Sequence, residues 1–187
     1  MIYIFDLDNT LFDTNSTIHQ CYQESLEIVL GGGISLSPQS KMILDDGGNW
    51  ESAWRHTKGI SEVESREIHI QKRKLYQERL NHIKPFEHTM KLFLRLIGDS
   101  RVVIWSNARY EVITTLLRTV DVHESSVEIL GRESLVVPKP SPNSLLLFLK
   151  NNLISSSDVC VFDDSEHVIF ELRKQGIAAF LSIPGSK

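Results

Sequence analysis

The sequence predicts an α/β fold, a doubly wound, Rossmann-like parallel sheet core carrying a small inserted helical cap. Three observations lead there. Met1 to Phe5 and Val159 to Phe162 are short, continuously apolar runs of the kind that form strands buried on both faces, and each is followed at once by aspartates. From residue 86 onward, helical and strand patterns alternate with short connections, as in βαβ units. Residues 15–84 interrupt that alternation with helical segments only, so they read as an insertion between a core made of residues 1–14 and 85–187.

The elements follow in order. After the first strand, Ser16 to Leu30 is amphipathic and closes at Gly31-Gly32-Gly33. Ser37-Pro38 reads as an N-cap with proline at the first helical position, and Ser61 to Leu80 has the length of a long return helix. Met90, Phe93, Leu94 and Ile97 give Phe86 to Ile97 a helical period. Arg101 to Trp105 is a strand, Ala108 to Val120 a helix, Val127 to Leu130 a short strand, and Pro142 to Asn151 a helix. The strand Val159 to Phe162, a helix from Glu166 to Gln175 ended by Gly176, and a strand from Ile177 to Leu181 complete the core.

A chain of 187 residues with 41% hydrophobic content can bury a core of its own. Its net charge is −4 and its cations are scattered apart from Lys72-Arg73-Lys74, read as a solvated helix face, so no nucleic-acid polymer is expected as a partner. No segment has the apolar length of a signal peptide or membrane span, and the chain reads as cytosolic with no membrane association. Of its two cysteines, Cys160 lies in an apolar strand and Cys21 in a helical stretch, a pattern that suggests neither zinc nor a disulfide.

The chemistry concentrates at strand ends. Side chains alternate along an extended chain, so Asp6 and Asp8 point the same way while Leu7 points back. Asp163 and Asp164 follow a second apolar run, which puts all four carboxylates at or just past strand carboxyl ends, where open α/β sheets bind ligands. Clustered carboxylates raise one another's pKa unless a cation neutralises them, and an all-oxygen donor set suits magnesium. Taken singly, the other polar residues have plainer readings: Ser106 as a helix N-cap, Lys139 as a surface lysine among Pro138, Pro140 and Pro142, and Ser165 as an N-cap.

Taken in order, these motifs resemble the haloacid dehalogenase-like hydrolase superfamily, in the branch with a helical cap after the first strand, which includes phosphoglycolate phosphatase-like and nucleotidase-like phosphatases. Asp6, Asp8 and Thr10 match its first motif, Ser106 in Ile104-Trp105-Ser106-Asn107 the second, Lys139 the third, and Asp163-Asp164 the fourth. The resemblance implies that Asp6 is a nucleophile forming an aspartyl-phosphate, and that Asp8 is the general acid and then the base. It implies that Thr10, Ser106, Asn107 and Lys139 bind the substrate phosphate, with Lys139 also balancing charge in the reaction. The implied metal set is Asp6, Asp8 (also through its carbonyl), Asp163 and Asp164, around magnesium. Val168 stands where a longer variant of the fourth motif has a further acid, which leaves Asp163 as the second carboxylate. Asp8 argues against the halide-displacing branch, which lacks it, and Asn9 replaces the commoner glycine.

The expected function is therefore magnesium-dependent hydrolysis of a small phosphate monoester, such as a nucleoside monophosphate or sugar phosphate. A phosphomutase, or a non-catalytic binding or regulatory protein on the same fold, is the alternative. In the insert, Trp50 and Trp54 share a helix face beside Arg55, and this stretch is the expected source of leaving-group specificity, with core packing as the plainer role of the tryptophans. Asp45-Asp46-Gly47-Gly48 reads as a turn, and Gly31 to Gly33 follows a helix, the wrong setting for a phosphate-cradling loop.

Overall fold

A computed structural model describes residues 1–45 and 60–183. They divide into two compact units, Met1–Asp13 with Lys84–Lys187, and Thr14–Ile83.

The first unit is built on a five-stranded, all-parallel sheet: β1 (Ile2–Phe5), β2 (Arg101–Trp105), β3 (Glu128–Leu130), β4 (Val159–Asp163) and β5 (Ala178–Leu181), in the order β3-β2-β1-β4-β5. The strands are apolar on both faces because helices cover both. On one face Ile2, Ile4, Val103, Trp105, Val159 and Val161 pack against Leu145 and Leu149 of the helix Asn143–Asn151 and against Val168, Ile169 and Leu172 of Glu166–Lys174. On the other, Phe5 meets Phe93 of the helix Glu87–Asp99 edge to face, with ring centroids 5.3 Å apart, and stacks on Phe162 at 4.7 Å. Phe162 stacks in turn on Phe180 at 5.7 Å. Burying an aromatic ring as completely as Phe5 contributes roughly 2–3 kcal/mol, and such pairs add about 0.5–1.5 kcal/mol each.

Most element boundaries fall within two residues of the sequence reading. The helix expected from Ala108 to Val120 is two residues shorter at each end, spanning Tyr110–Arg118. Its start is held back because residues 106–110 are tied to other partners. Ala108 N–H donates to Ser106 Oγ (3.0 Å), Arg132 N–H donates to the Ala108 carbonyl (2.8 Å), and Tyr110 N–H donates to a Glu133 carboxylate oxygen (3.0 Å). Gly131 permits this approach, since a Cβ there would lie 3.1 Å from Ile113 Cδ1 and 3.3 Å from the Ala108 carbonyl. Ser106 is therefore not a helix N-cap; Arg109 occupies that position without a side-chain cap.

The second unit is helical. Asn15–Leu30 and Glu62–Arg79 pack around Tyr22, Leu26, Leu36 and Ile68. Gly31 closes the first helix in the left-handed region at φ 76°, its N–H donating to the Glu27 carbonyl. Ser37 caps the helix Pro38–Asp45, its Oγ accepting from Ser40 N–H at 2.9 Å. Ser61 and Glu64 form a capping box at the start of the long helix. Arg73 and Lys74 are exposed, but Lys72 departs from the solvated-face reading: its ammonium lies over the rings of Tyr76 (4.4 Å) and Tyr22 (5.2 Å). Cys21 and Cys160 are buried free thiols. Trp50, Trp54, Arg55 and residues 46–48 lie outside the described residues. Among the described residues, no helix is long and apolar enough to cross a membrane.

Candidate active site

Strand order reverses beside β1: the chain steps from β1 through β2 to β3 on one side, then crosses to β4 and β5 on the other. Such a switch point opens a crevice at the strand carboxyl ends. Phe5 is in register with Ile104 and Phe162, so Asp6, Trp105 and Asp163 come level one residue further on. Asp6 N–H bonds the Phe162 carbonyl at 2.9 Å, extending the β1–β4 ladder to the edge of the crevice.

Lys139 reaches this point from the loop after β3. Its ammonium donates to Asp6 Oδ1, to Asp163 Oδ2 at 2.6 Å and to the Trp105 carbonyl at 3.1 Å. The three side chains are 9%, 5% and 1% exposed for Lys139, Asp6 and Asp163, so these are buried ion pairs. Burial disfavours the charged lysine, but the Asp163 and Asp6 carboxylates outweigh it and hold the ammonium above its ordinary pKa. The loop is fixed by Asn107, whose Nδ2 donates to the Lys139 carbonyl (3.1 Å) and whose Oδ1 accepts from Lys139 N–H (2.8 Å). Asn107, expected to bind phosphate, is here engaged with the lysine backbone.

Asp8 lies just before the tight turn that follows β1, in which Asn9 adopts φ 54°. Asparagine tolerates that left-handed conformation, which accounts for its standing in place of glycine. Ser106 Oγ donates to Asp8 Oδ2 at 3.4 Å. Thr10 is wholly buried, and its Oγ1 has no hydrogen-bond partner among the described residues. On the fourth motif, Asp163 spends one oxygen on Lys139 and the other on Ser165 N–H (3.0 Å), and Ser165 Oγ caps the following helix through Val168 N–H at 3.4 Å.

Four carboxylates thus share a partly dry space with one ammonium. Burial, and then Asp163, Asp164 and Asp8, push Asp6 well above the ordinary carboxylate range against the pull of Lys139. Burial and Asp163 push Asp164 up to about 6. Among the described residues, no three acids, imidazoles or thiols form a ready metal cage. The four acids lie together, and Lys139 takes one oxygen each of Asp6 and Asp163. The donor set still suits magnesium, which takes only one or two carboxylates and keeps several waters. Under-compensated carboxylates are also what such a cation relieves.

The raised Asp164 pKa has a measurable sign. Its folded value of about 6 exceeds its ordinary value of 3.8, so the folded state holds the extra proton between those values. The resulting stability is present at low pH and lost as pH rises through about 6. In protein free of divalent cations, Asp164→Asn is expected to raise stability at pH 7 by on the order of 1–3 kcal/mol and to have little effect at pH 4. Scanning calorimetry of both proteins across that range checks this; a difference that does not vary with pH would contradict it.

Sequence reasoning missed the part played by Trp105, whose carbonyl and ring both face the Lys139 ammonium. Its place directly before Ser106 at the end of an apolar strand was the available signal.

The model of the haloacid dehalogenase-like hydrolase family matches residues 3–181, and the chain belongs to that family. No curated protein sequence matches it. Among solved structures it is similar to a hydrolase of the haloacid dehalogenase-like family from Streptococcus pneumoniae, with 17% identity, TM-score 0.75, and 96% of this chain and 83% of that one covered. It is also similar to a predicted phosphoglycolate phosphatase from Haemophilus somnus, with 19% identity, TM-score 0.77, and coverage of 95% and 83%. A third is CbbY from Rhodobacter sphaeroides in complex with phosphate, with 18% identity, TM-score 0.78, and coverage of 98% and 86%. A mutant of CbbY has also been solved in complex with xylulose-(1,5)bisphosphate. At these identities the likeness establishes the fold, a parallel five-stranded α/β sheet with flanking helices.

Proposed function

We propose that this chain is a magnesium-dependent phosphatase that hydrolyses a small phosphate monoester, a nucleoside monophosphate or sugar phosphate, through an aspartyl-phosphate. The observation that carries this reading is the buried Lys139 ammonium joined to Asp6 and Asp163 at the switch point, with Asp8 and Ser106 beside it. The phosphate and xylulose-(1,5)bisphosphate of the CbbY structures support a small phosphorylated metabolite as substrate. Residues 1–14 and 85–187 act as the catalytic core, and 15–84 as a cap that supplies specificity.

In the first half-reaction a carboxylate oxygen of Asp6 attacks phosphorus, the bond from phosphorus to the leaving oxygen breaks, and Asp8 gives that oxygen its proton. In the second, the Asp8 carboxylate takes a proton from water, the water oxygen attacks phosphorus, and the bond to Asp6 breaks. Inorganic phosphate leaves, and Asp6 and Asp8 return to their starting states. Lys139 offsets the charge of Asp6 and of the phosphoryl oxygens throughout, and the Ser106 hydroxyl donates to them.

Members of this superfamily generally use magnesium. Here Asp6, Asp164 and the Asp8 carbonyl would hold it, and it would supply positive charge against the phosphoryl oxygens. Asp163, with both oxygens given to Lys139 and Ser165, acts through the lysine.

Phosphate release measured over a panel of phosphorylated metabolites, with magnesium and with excess chelator, tests the reading. Stoichiometric inorganic phosphate that depends on magnesium is expected. A sugar phosphate isomerised with little free phosphate would make the chain a mutase, and ligand binding without turnover would make it a non-catalytic binder.

A further inference from the structure

We propose that Trp105 is a positioning residue for Lys139, holding its ammonium in place between Asp6 and Asp163 through the face of the indole; the consequence for catalysis rests on the phosphatase reading. Trp105 ends β2 and is wholly buried. The Lys139 ammonium has three hydrogens, and all are committed, to Asp6, to Asp163 and to the Trp105 carbonyl. The same ammonium lies 5.0 Å from the centre of the Trp105 ring, inside the roughly 6 Å over which an aromatic face attracts a cation. One residue therefore meets the lysine twice, with its backbone and with its ring.

The ring's own polar atom strengthens the case. Trp105 Nε1 is buried with no hydrogen-bond partner among the described residues. A buried N–H without an acceptor is a net cost, and a phenylalanine would not carry it. Hydrophobic burial alone thus does not explain a tryptophan at this position. What an indole adds over phenylalanine or leucine is the strongest attraction for a cation on its face. The ring also forms part of the apolar layer with Ile4, Val103 and Val161, so the ammonium lies against a wall that excludes water.

The test uses the full chain with magnesium and an aryl phosphate. Trp105→Phe keeps a ring with a weaker face, Trp105→Leu removes the ring, and fluorinated tryptophans introduced at this position alone weaken the face while nearly keeping its shape. In Trp105→Phe, kcat is expected to fall about three- to tenfold with KM changed by less than about twofold. It should fall further in Trp105→Leu and stepwise along the fluorinated series, without a matching fall in Tm. A phenylalanine variant that loses Tm and keeps kcat, or a fluorinated series with constant kcat, overturns the proposal.

A second readout does not depend on turnover. In lysine-labelled protein the ε-methylene resonance of Lys139, identified by its loss in Lys139→Arg, should be shifted upfield by the indole ring and return in Trp105→Leu. An unshifted resonance overturns the proposal. If the native protein hydrolyses no phosphate ester while the shift is present, the phosphatase reading fails and the placement of Lys139 by Trp105 stands.

Discussion

Asp6→Asn is expected to abolish hydrolysis of an aryl phosphate while the protein stays folded. The asparagine keeps the shape of the side chain, and its carbonyl oxygen can still accept from the Lys139 ammonium. It removes the charge that burial and three neighbouring acids already disfavour, so the metal-free fold should lose little and Tm should hold. What it lacks is a nucleophile able to form the acyl phosphate, and the loss in kcat should reach at least about ten-thousandfold. Inorganic phosphate release and a melting curve on the same preparation check both halves. Undiminished turnover by the folded variant would remove the covalent mechanism, and full native activity in excess chelator would remove the metal.

Lys139→Met carries the second large effect, on stability as well as rate. Methionine matches the apolar stem but leaves Asp6 and Asp163 buried with no cation between them. Breaking a buried pair in this way costs about 3–5 kcal/mol. The sign with pH follows from Asp6, whose folded pKa is already raised and rises further once the lysine is gone. A protonated carboxyl needs no counter-charge, so the penalty is largest near neutral pH and shrinks as pH falls through the raised value. Denaturant titrations at pH 7 and pH 5 should therefore differ, with the variant closer to native at the lower pH. Turnover should drop roughly a hundred- to thousandfold with the loss of a fixed charge facing the phosphoryl group. An equal destabilisation at both pH values would mean that packing, and not charge, dominates the site.

Much of this arrangement is legible in the sequence because it depends on order along elements. Unbroken apolar runs before Asp6 and Asp163 read as buried strands, and strands of that kind end where ligands bind. What resisted reading is what depends on distant partners. Asn107 and Lys139 are tied by a reciprocal pair of hydrogen bonds that no spacing announces. The helix after Ser106 starts late because Glu133 and Arg132, from beyond β3, hold the intervening turn. Lys72 belongs to a basic run that looks solvated, yet it lies over Tyr22 and Tyr76, and only helix packing determines which member of the run does so.

The central place of β1 also governs the order in which this molecule can come together. Ile2 pairs with Arg101 on one side and with Val159 on the other, both far along the chain, so β1 receives its neighbours late. Closing both long loops costs chain entropy before any ladder bond returns it, and topologies of this kind fold slowly. During synthesis Ile2 to Phe5 stay without strand partners until β2 and then β4 have left the ribosome, an apolar segment that a chaperone could engage meanwhile. Asp6 precedes every residue that surrounds it in the crevice, and its buried contacts with Lys139 and Asp163 form only once β4 has followed.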